Sequence, residues 1–223
     1  VIGPSQFIAD MLVRLGCPPA KAHVCACGID ADRFAAGEGV PFNVLAVGRL
    51  VEKKAPHATI DAFAKIAGRF PDARLDIVGD GPLRKRCDEL IRNLGLEGRV
   101  VLHGAKSHDF VAELFRRASV FVQHSVTTPL GDVEGMPVSV LEAMASGLPV
   151  VSTMHSGIQE AVVSGETGLL VRERDVEGMA SAIAALLENP GRAAEMGARG
   201  RERVLMRYTQ EKSAEKLRSI MGL

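Results

Sequence analysis

The chain has 223 residues, 47 % of them apolar, enough to build the core of one large domain or two small ones. Its 27 basic and 27 acidic side chains leave a formal charge of zero. That balance argues against a general nucleic-acid binder, which carries a clear basic excess.

In chain order, Val1-Ile2 reads as the tail of a strand already under way, with chain expected upstream of it. A helical pattern follows over 5–15 and an apolar strand over 23–26. The aperiodic stretch 32–41 reads as a connecting loop. Strands are then expected at 43–47, 74–78, 100–103, 120–123, 149–152 and 168–171, with helices between them at 56–69, 82–94, 108–117 and 138–146. Val176, Met179, Ile183 and Leu187 mark one more helix, and the charged tail 192–221 reads as helical with a break near Tyr208-Thr209. The strands are rich in Val, Leu and Ile without alternation, as in parallel strands buried on both faces. Repeated strand–helix alternation predicts an α/β fold, a doubly wound Rossmann-like parallel sheet, whose ligands lie at the carboxyl ends of the strands. No apolar run reaches the length of a membrane span, and no signal peptide is visible. Cys17, Cys25, Cys27 and Cys87 fit no zinc spacing and read as reduced thiols of a cytoplasmic protein.

Two segments at strand ends carry chemistry. After the strand 43–47 come Gly48, Arg49 and Lys54. Gly48 lets a ligand approach the backbone, and a guanidinium beside an ammonium suits a diphosphate. Taken alone, the segment reads equally as a solvated charged turn. The second segment runs from Glu134 through Gly135, Met136, Pro137, Val138 and Ser139 to Glu142. Pro137 suits a helix start, whose N–H groups at Val138 and Ser139 would face an anion. Glu134 then sits outside the helix and Glu142 more than one turn inside. They are too far apart for a catalytic pair and are placed to grip hydroxyls at two ends of an extended ligand. The plainer alternative is a loop charge and a helix-surface carboxylate.

Together with Gly-Ile-Asp…Phe at 28–34, Ile-Val-Gly-Asp-Gly-Pro-Leu at 77–83, His103-Gly104 and Glu-Thr-Gly-Leu-Leu-Val at 166–171, these segments resemble the carboxyl-terminal half of the GT-B glycosyltransferases of family four. The stretch 131–145 is especially similar to bacterial exopolysaccharide enzymes of the colanic-acid type. The resemblance implies a single nucleotide-sugar-binding domain over 1–223, with 208–223 as a tail helix packing partly on an amino-terminal acceptor domain outside this chain. It implies retaining transfer of a glycosyl group to a hydroxyl acceptor in polysaccharide synthesis. The donor would be a UDP-sugar first and a GDP-sugar second, with no metal or other cofactor. The acceptor would be a saccharide or a lipid-linked one, at the inner membrane through the other half. By position, Arg49 and Lys54 match the diphosphate pair, Glu134 the donor-sugar carboxylate and Glu142 the ribose carboxylate. Gly79, Gly104 and Lys106 fall at the base pocket. Met136-Pro137 departs from the family's usual Phe-Gly, and Pro137 removes one backbone donor.

Three other features are set aside. Asp30-Ala31-Asp32 is the metal motif of a different glycosyltransferase fold. Gly79-Asp80-Gly81 lacks the third glycine of a dinucleotide fingerprint. His103, His124 and His155 at strand ends read as structural. A GT-B sugar-nucleotide epimerase, a non-catalytic nucleotide-binding module and a nicotinamide oxidoreductase are the competing readings.

Overall fold

The computed structural model describes residues 1–37 and 39–222. The chain opens with β1 (Ile2–Gly3), α1 (Gln6–Arg14) and β2 (His23–Val24). It continues through β3 (Asn43–Val47), α2 (Pro56–Ala67), β4 (Arg74–Val78), α3 (Arg84–Asn93), β5 (Val100–Gly104), α4 (His108–Arg117) and β6 (Val120–Gln123). Then come α5 (Val138–Ala145), β7 (Val150–Thr153), α6 (Ile158–Ala161), β8 (Gly168–Val171), α7 (Val176–Glu188), α8 (Pro190–Arg207) and α9 (Gln210–Met221).

Six of the strands form one parallel sheet in the order β5-β4-β3-β6-β7-β8, the doubly wound α/β arrangement that the alternation predicts. Successive residues of a strand point to opposite faces, and here both faces are covered. Val44, Val120, Val122 and Val151 pack with Ile60, Phe63, Met179 and Ile183 on one side. Leu45, Phe121 and Val150 pack with Phe115, Leu141, Met144 and Ile158 on the other. Each such side chain contributes about 1.5–3 kcal/mol on burial. The chain runs outward through β4 and β5, then returns to lay β6 along the free side of β3, with Val44 opposite Val120. This reversal leaves a crevice between the carboxyl ends of β3 and β6.

One strand lies elsewhere than expected. The segment at 23–26 does not join the main sheet; β2 pairs with β1 in a separate two-stranded parallel sheet, Ile2 opposite His23. Its residues are only half-buried, because two short strands cannot cover each other's faces. A carboxylate fastens this unit to the rest of the chain. Glu160, on the unforeseen short helix α6, accepts the first-turn amides of α1, Gln6 N at 2.9 Å and Phe7 N at 3.0 Å. The positive end of the helix dipole favours that placement. The tail breaks at Tyr208-Thr209 as expected. There Ile29 N donates to Tyr208 O and Gln210 N to Ile29 O, and Ser213 on α9 donates to Ala26 O.

Candidate active site

The crevice is built first from the turn after β3. Lys54 ends a short 3-10 turn and folds back over Gly48, where a Cβ would stand 2.6 Å from Lys54 Cδ. Gly48 is itself pressed by the loop after β4. Gly79 has φ +132, and a Cβ there would overlap the Gly48 carbonyl oxygen. The folded-back Lys54 Nζ lies 3.3 Å from Gln123 Oε1, at the end of β6, and 3.3 Å from Glu134 Oε2. Burial pulls the Lys54 ammonium below its ordinary pKa range, against the opposing pull of Glu134. Lys53 points away, to Asp132 Oδ1 at 3.0 Å and Val133 O at 3.1 Å, and ties down the loop before Glu134. Arg49 is exposed on the rim of the cleft lined by Gly48, Lys54, Thr59 and Gln123.

The opposite wall is the start of α5. Helices α1, α4, α7, α8 and α9 each begin on a capping side chain, whereas α5, like α2, α3 and α6, has none and begins after Pro137. Among the described residues the N–H groups of Val138 and Ser139 meet no protein acceptor, so this end is a ready anion site. Ser139 Oγ donates to Gln123 Oε1 at 3.0 Å, the atom Lys54 also reaches, which sets the helix start beside the ammonium. Gln123 Nε2 donates to Ser125 Oγ at 2.8 Å, which fixes the orientation of the amide.

Glu134 is 8 % exposed. One carboxylate oxygen meets Lys54; the other, Oε1, is buried with no partner among the described residues. A buried acceptor of this kind costs on the order of 1–3 kcal/mol until a donor reaches it. The backbone around it is tightly held. Glu134 N donates to His155 Nε2 at 3.0 Å, Ser156 Oγ donates to Glu134 O, and Gly157 N donates to Gly135 O at 3.0 Å. His155 Nδ1 lies 2.5 Å from Glu173 Oε1. Burial pushes the Glu173 carboxyl up, but hydrogen bonds from His155 and Thr127 outweigh it and hold the group below the usual range.

The remaining candidates are placed unevenly. Glu142 is half-buried inside α5 with no cation beside it among the described residues, and desolvation pushes its carboxyl up to about 7. The Gly79 N–H is taken by Gly104 O at 2.9 Å. A Cβ on Gly104 would meet Arg84 Nη1 at 3.1 Å. Lys106 is exposed, its ammonium 5.3 Å from the Phe110 ring centre. The Met136 side chain is buried in the core, leaving only its backbone for a ligand, and Gly135 lies against Pro4. The structure thus joins Lys54 to Glu134 directly and Ser139 to Lys54 through Gln123, with Arg49 on the rim.

Gln123, His155 and Glu173 escape the sequence reading as site residues. The available signal was a polar residue, Gln123, closing an otherwise apolar strand at the switch point. His103 and His124 are structural in the plain sense. His103 bonds Asp76 at 2.6 Å; buried His124 accepts Arg174 N at 2.9 Å, and desolvation lowers its pKa to about 4. Asp30 accepts the Arg33 amide. Among the described residues no group of three or more His, Cys, Asp or Glu is placed to hold a metal ion.

Residues 29–203 match the family model described as glycosyl transferases group 1. The chain is 36 % identical over 222 residues to the putative colanic acid biosynthesis glycosyltransferase WcaL of Salmonella typhimurium, covering 97 % of this chain and 55 % of that protein. It is 35 % identical over 198 residues to a GDP-mannose-dependent phosphatidylinositol monomannoside mannosyltransferase of Mycolicibacterium smegmatis, covering 82 % of this chain and 52 % of that one. The chain therefore spans about half the length of these relatives. Among solved structures, Anabaena Alr3699/HepE in complex with UDP-glucose superposes with a TM-score of 0.87 at 23 % identity, over 100 % of this chain and 64 % of that one. That likeness shows the GT-B fold.

Proposed function

The chain belongs to the glycosyl transferases group 1 family, and from that premise we propose that it is the donor-binding domain of a retaining glycosyltransferase. The observation that carries the reading is the buried Lys54–Glu134 pair, one carboxylate oxygen unpartnered, beside the uncapped start of α5. The donor is a nucleoside-diphosphate sugar. Its diphosphate takes Lys54, Arg49 and the N–H groups of Val138 and Ser139. As the bond from the anomeric carbon to the phosphate oxygen breaks, negative charge gathers on the departing diphosphate, and these donors stabilise it without having to reorganise. Glu134 Oε1 accepts a hydroxyl of the donor sugar; Glu142 accepts the ribose hydroxyls. The loops that end at Gly79, Gly104 and Lys106 border the base.

UDP is the first choice of nucleotide, supported by the UDP-glucose reported on the Anabaena neighbour; GDP is the second, supported by the GDP-mannose-dependent relative. The acceptor, a saccharide or a lipid-linked one, would be positioned by the part of the whole protein that corresponds to the unmatched half of the relatives. We place the reaction in bacterial polysaccharide synthesis on the cytoplasmic side. No helix among the described residues is long and apolar enough to cross a membrane. Calorimetry of this chain with UDP, UDP-glucose, GDP and GDP-mannose tests the reading. We expect one nucleotide pair to bind, the sugar form more tightly; binding of none of the four sinks it.

A further inference from the structure

We propose that His155, backed by Glu173, is a positioning residue for the Glu134 carboxylate, and this rests on the donor-sugar reading of Glu134. The backbone amide of Glu134 can only donate, so His155 Nε2, 3.0 Å away, is unprotonated and accepts. The ring proton is then on Nδ1, where it donates to Glu173 Oε1. Glu173 is anchored in turn, its Oε2 by Thr127 N at 2.8 Å and its Oε1 by Thr127 Oγ1 at 3.2 Å. The relay thus ties together the loops after β6, β7 and β8, and its last member is the Glu134 peptide. The His155 side chain is 1 % exposed, so water does not compete for either nitrogen.

Its neighbours act on the same peptide. Ser156, in the left-handed region at φ +39, turns its hydroxyl onto Glu134 O, and Gly157 N holds Gly135 O. Three hydrogen bonds from residues 155–157 therefore fix the Glu134–Gly135 backbone. Among the described residues the carboxylate itself meets one partner, Lys54, through one oxygen. The direction of the free oxygen is consequently set from the backbone side. Recognition of a hydroxyl needs that direction held to within about half an ångström, and His155 supplies the fixed acceptor that holds it.

Two substitutions separate positioning from mere folding. His155→Phe keeps the ring and removes the acceptor; His155→Gln places an amide oxygen near the former Nε2 position. Affinities of the chain for UDP and UDP-glucose are measured by calorimetry, alongside ring nitrogen NMR of the wild type. We expect the Nδ1–H tautomer, with the Glu134 amide proton shifted downfield by its acceptor. His155→Phe should cost about tenfold in UDP-glucose affinity, the scale of one lost or misaligned hydrogen bond, while UDP changes less than about twofold. His155→Gln should recover most of the loss. An Nε2–H tautomer, or a His155→Phe chain that loses both ligands in equal proportion, overturns the positioning role alone. A wild type for which neither glucose adds to UDP affinity nor mannose to GDP affinity overturns the donor-sugar reading, and the role of His155 with it.

Discussion

The loop that carries Glu134 and the helix turn that carries Glu142 belong to one short segment, yet they treat a carboxylate in opposite ways. Glu134 is nearly buried, faces the Lys54 ammonium at 3.3 Å and stands on a peptide clamped by the loop after β7. Glu142 is half-buried, and desolvation pushes its carboxyl up to about 7. The difference teaches what each group can do before a ligand arrives. Glu134 is held against a cation and aimed; Glu142, its carboxyl pushed up to about 7 by desolvation, waits for donors to reach it.

The largest expected effect comes from removing the cation that faces Glu134. Lys54→Ala should lower turnover of the whole enzyme on the order of 10²–10³-fold, the scale for losing a preorganised charge-stabilising donor. It should also destabilise this chain by about 3–5 kcal/mol, because the buried Glu134 loses its counter-charge. Transfer kinetics and denaturant unfolding check the two parts, and wild-type rates would remove Lys54 from the site.

Next in size is the split between the two acids. Glu142→Ala should weaken UDP and UDP-glucose by about tenfold alike, the worth of a charged hydrogen bond to a hydroxyl. Glu134→Ala should leave UDP within about twofold and erase the gain from the sugar. Equal losses of UDP in both variants, read by calorimetry, would dissolve the contrast drawn above.

The smallest effect is a pH dependence with a defined sign. The Glu142 pKa lies near 7 in the free chain, above the ordinary value of 4.5. With respect to this group, stability is greatest below about 4.5 and is lost as pH rises through about 7. Buried His124 works the other way. Its pKa falls from 6.5 to about 4, so its contribution is whole above 6.5 and is lost as pH falls toward 4. Glu142→Gln should therefore raise the Tm more at pH 8 than at pH 5. Under the proposed ribose contact the ionised carboxylate is the stronger acceptor, so UDP affinity should fall below pH 7 more steeply in the wild type than in Glu142→Gln, a comparison that subtracts titration of the diphosphate itself.

Most of the fold was legible in the sequence because it is local. The strands at 43–47, 74–78 and 120–123 are runs of residues that must be buried on both faces, and the structure places strands over those same spans. The segment at 23–26 misled because an apolar run does not say which strand it will lie beside. Of the candidate site, Lys54, Glu134 and Ser139 were singled out by their places at a strand end and a helix start. Gln123, His155 and Glu173 were not, because their meaning lies in partners far along the chain. Glu134 is 21 residues from His155, and His155 is 18 from Glu173. No spacing rule covers such a relay; only the folded sheet brings the three loop ends together.

The carboxylate of Glu160 has a different consequence. Amide protons in the first turn of a helix ordinarily exchange with solvent freely, since nothing within the helix accepts them. Those of Gln6 and Phe7 are held by Glu160, 154 and 153 residues away, so their exchange should slow while α1 stays against α6. The chain thus carries its own clock for the parting of its opening unit from the sheet, and two amide protons keep its time.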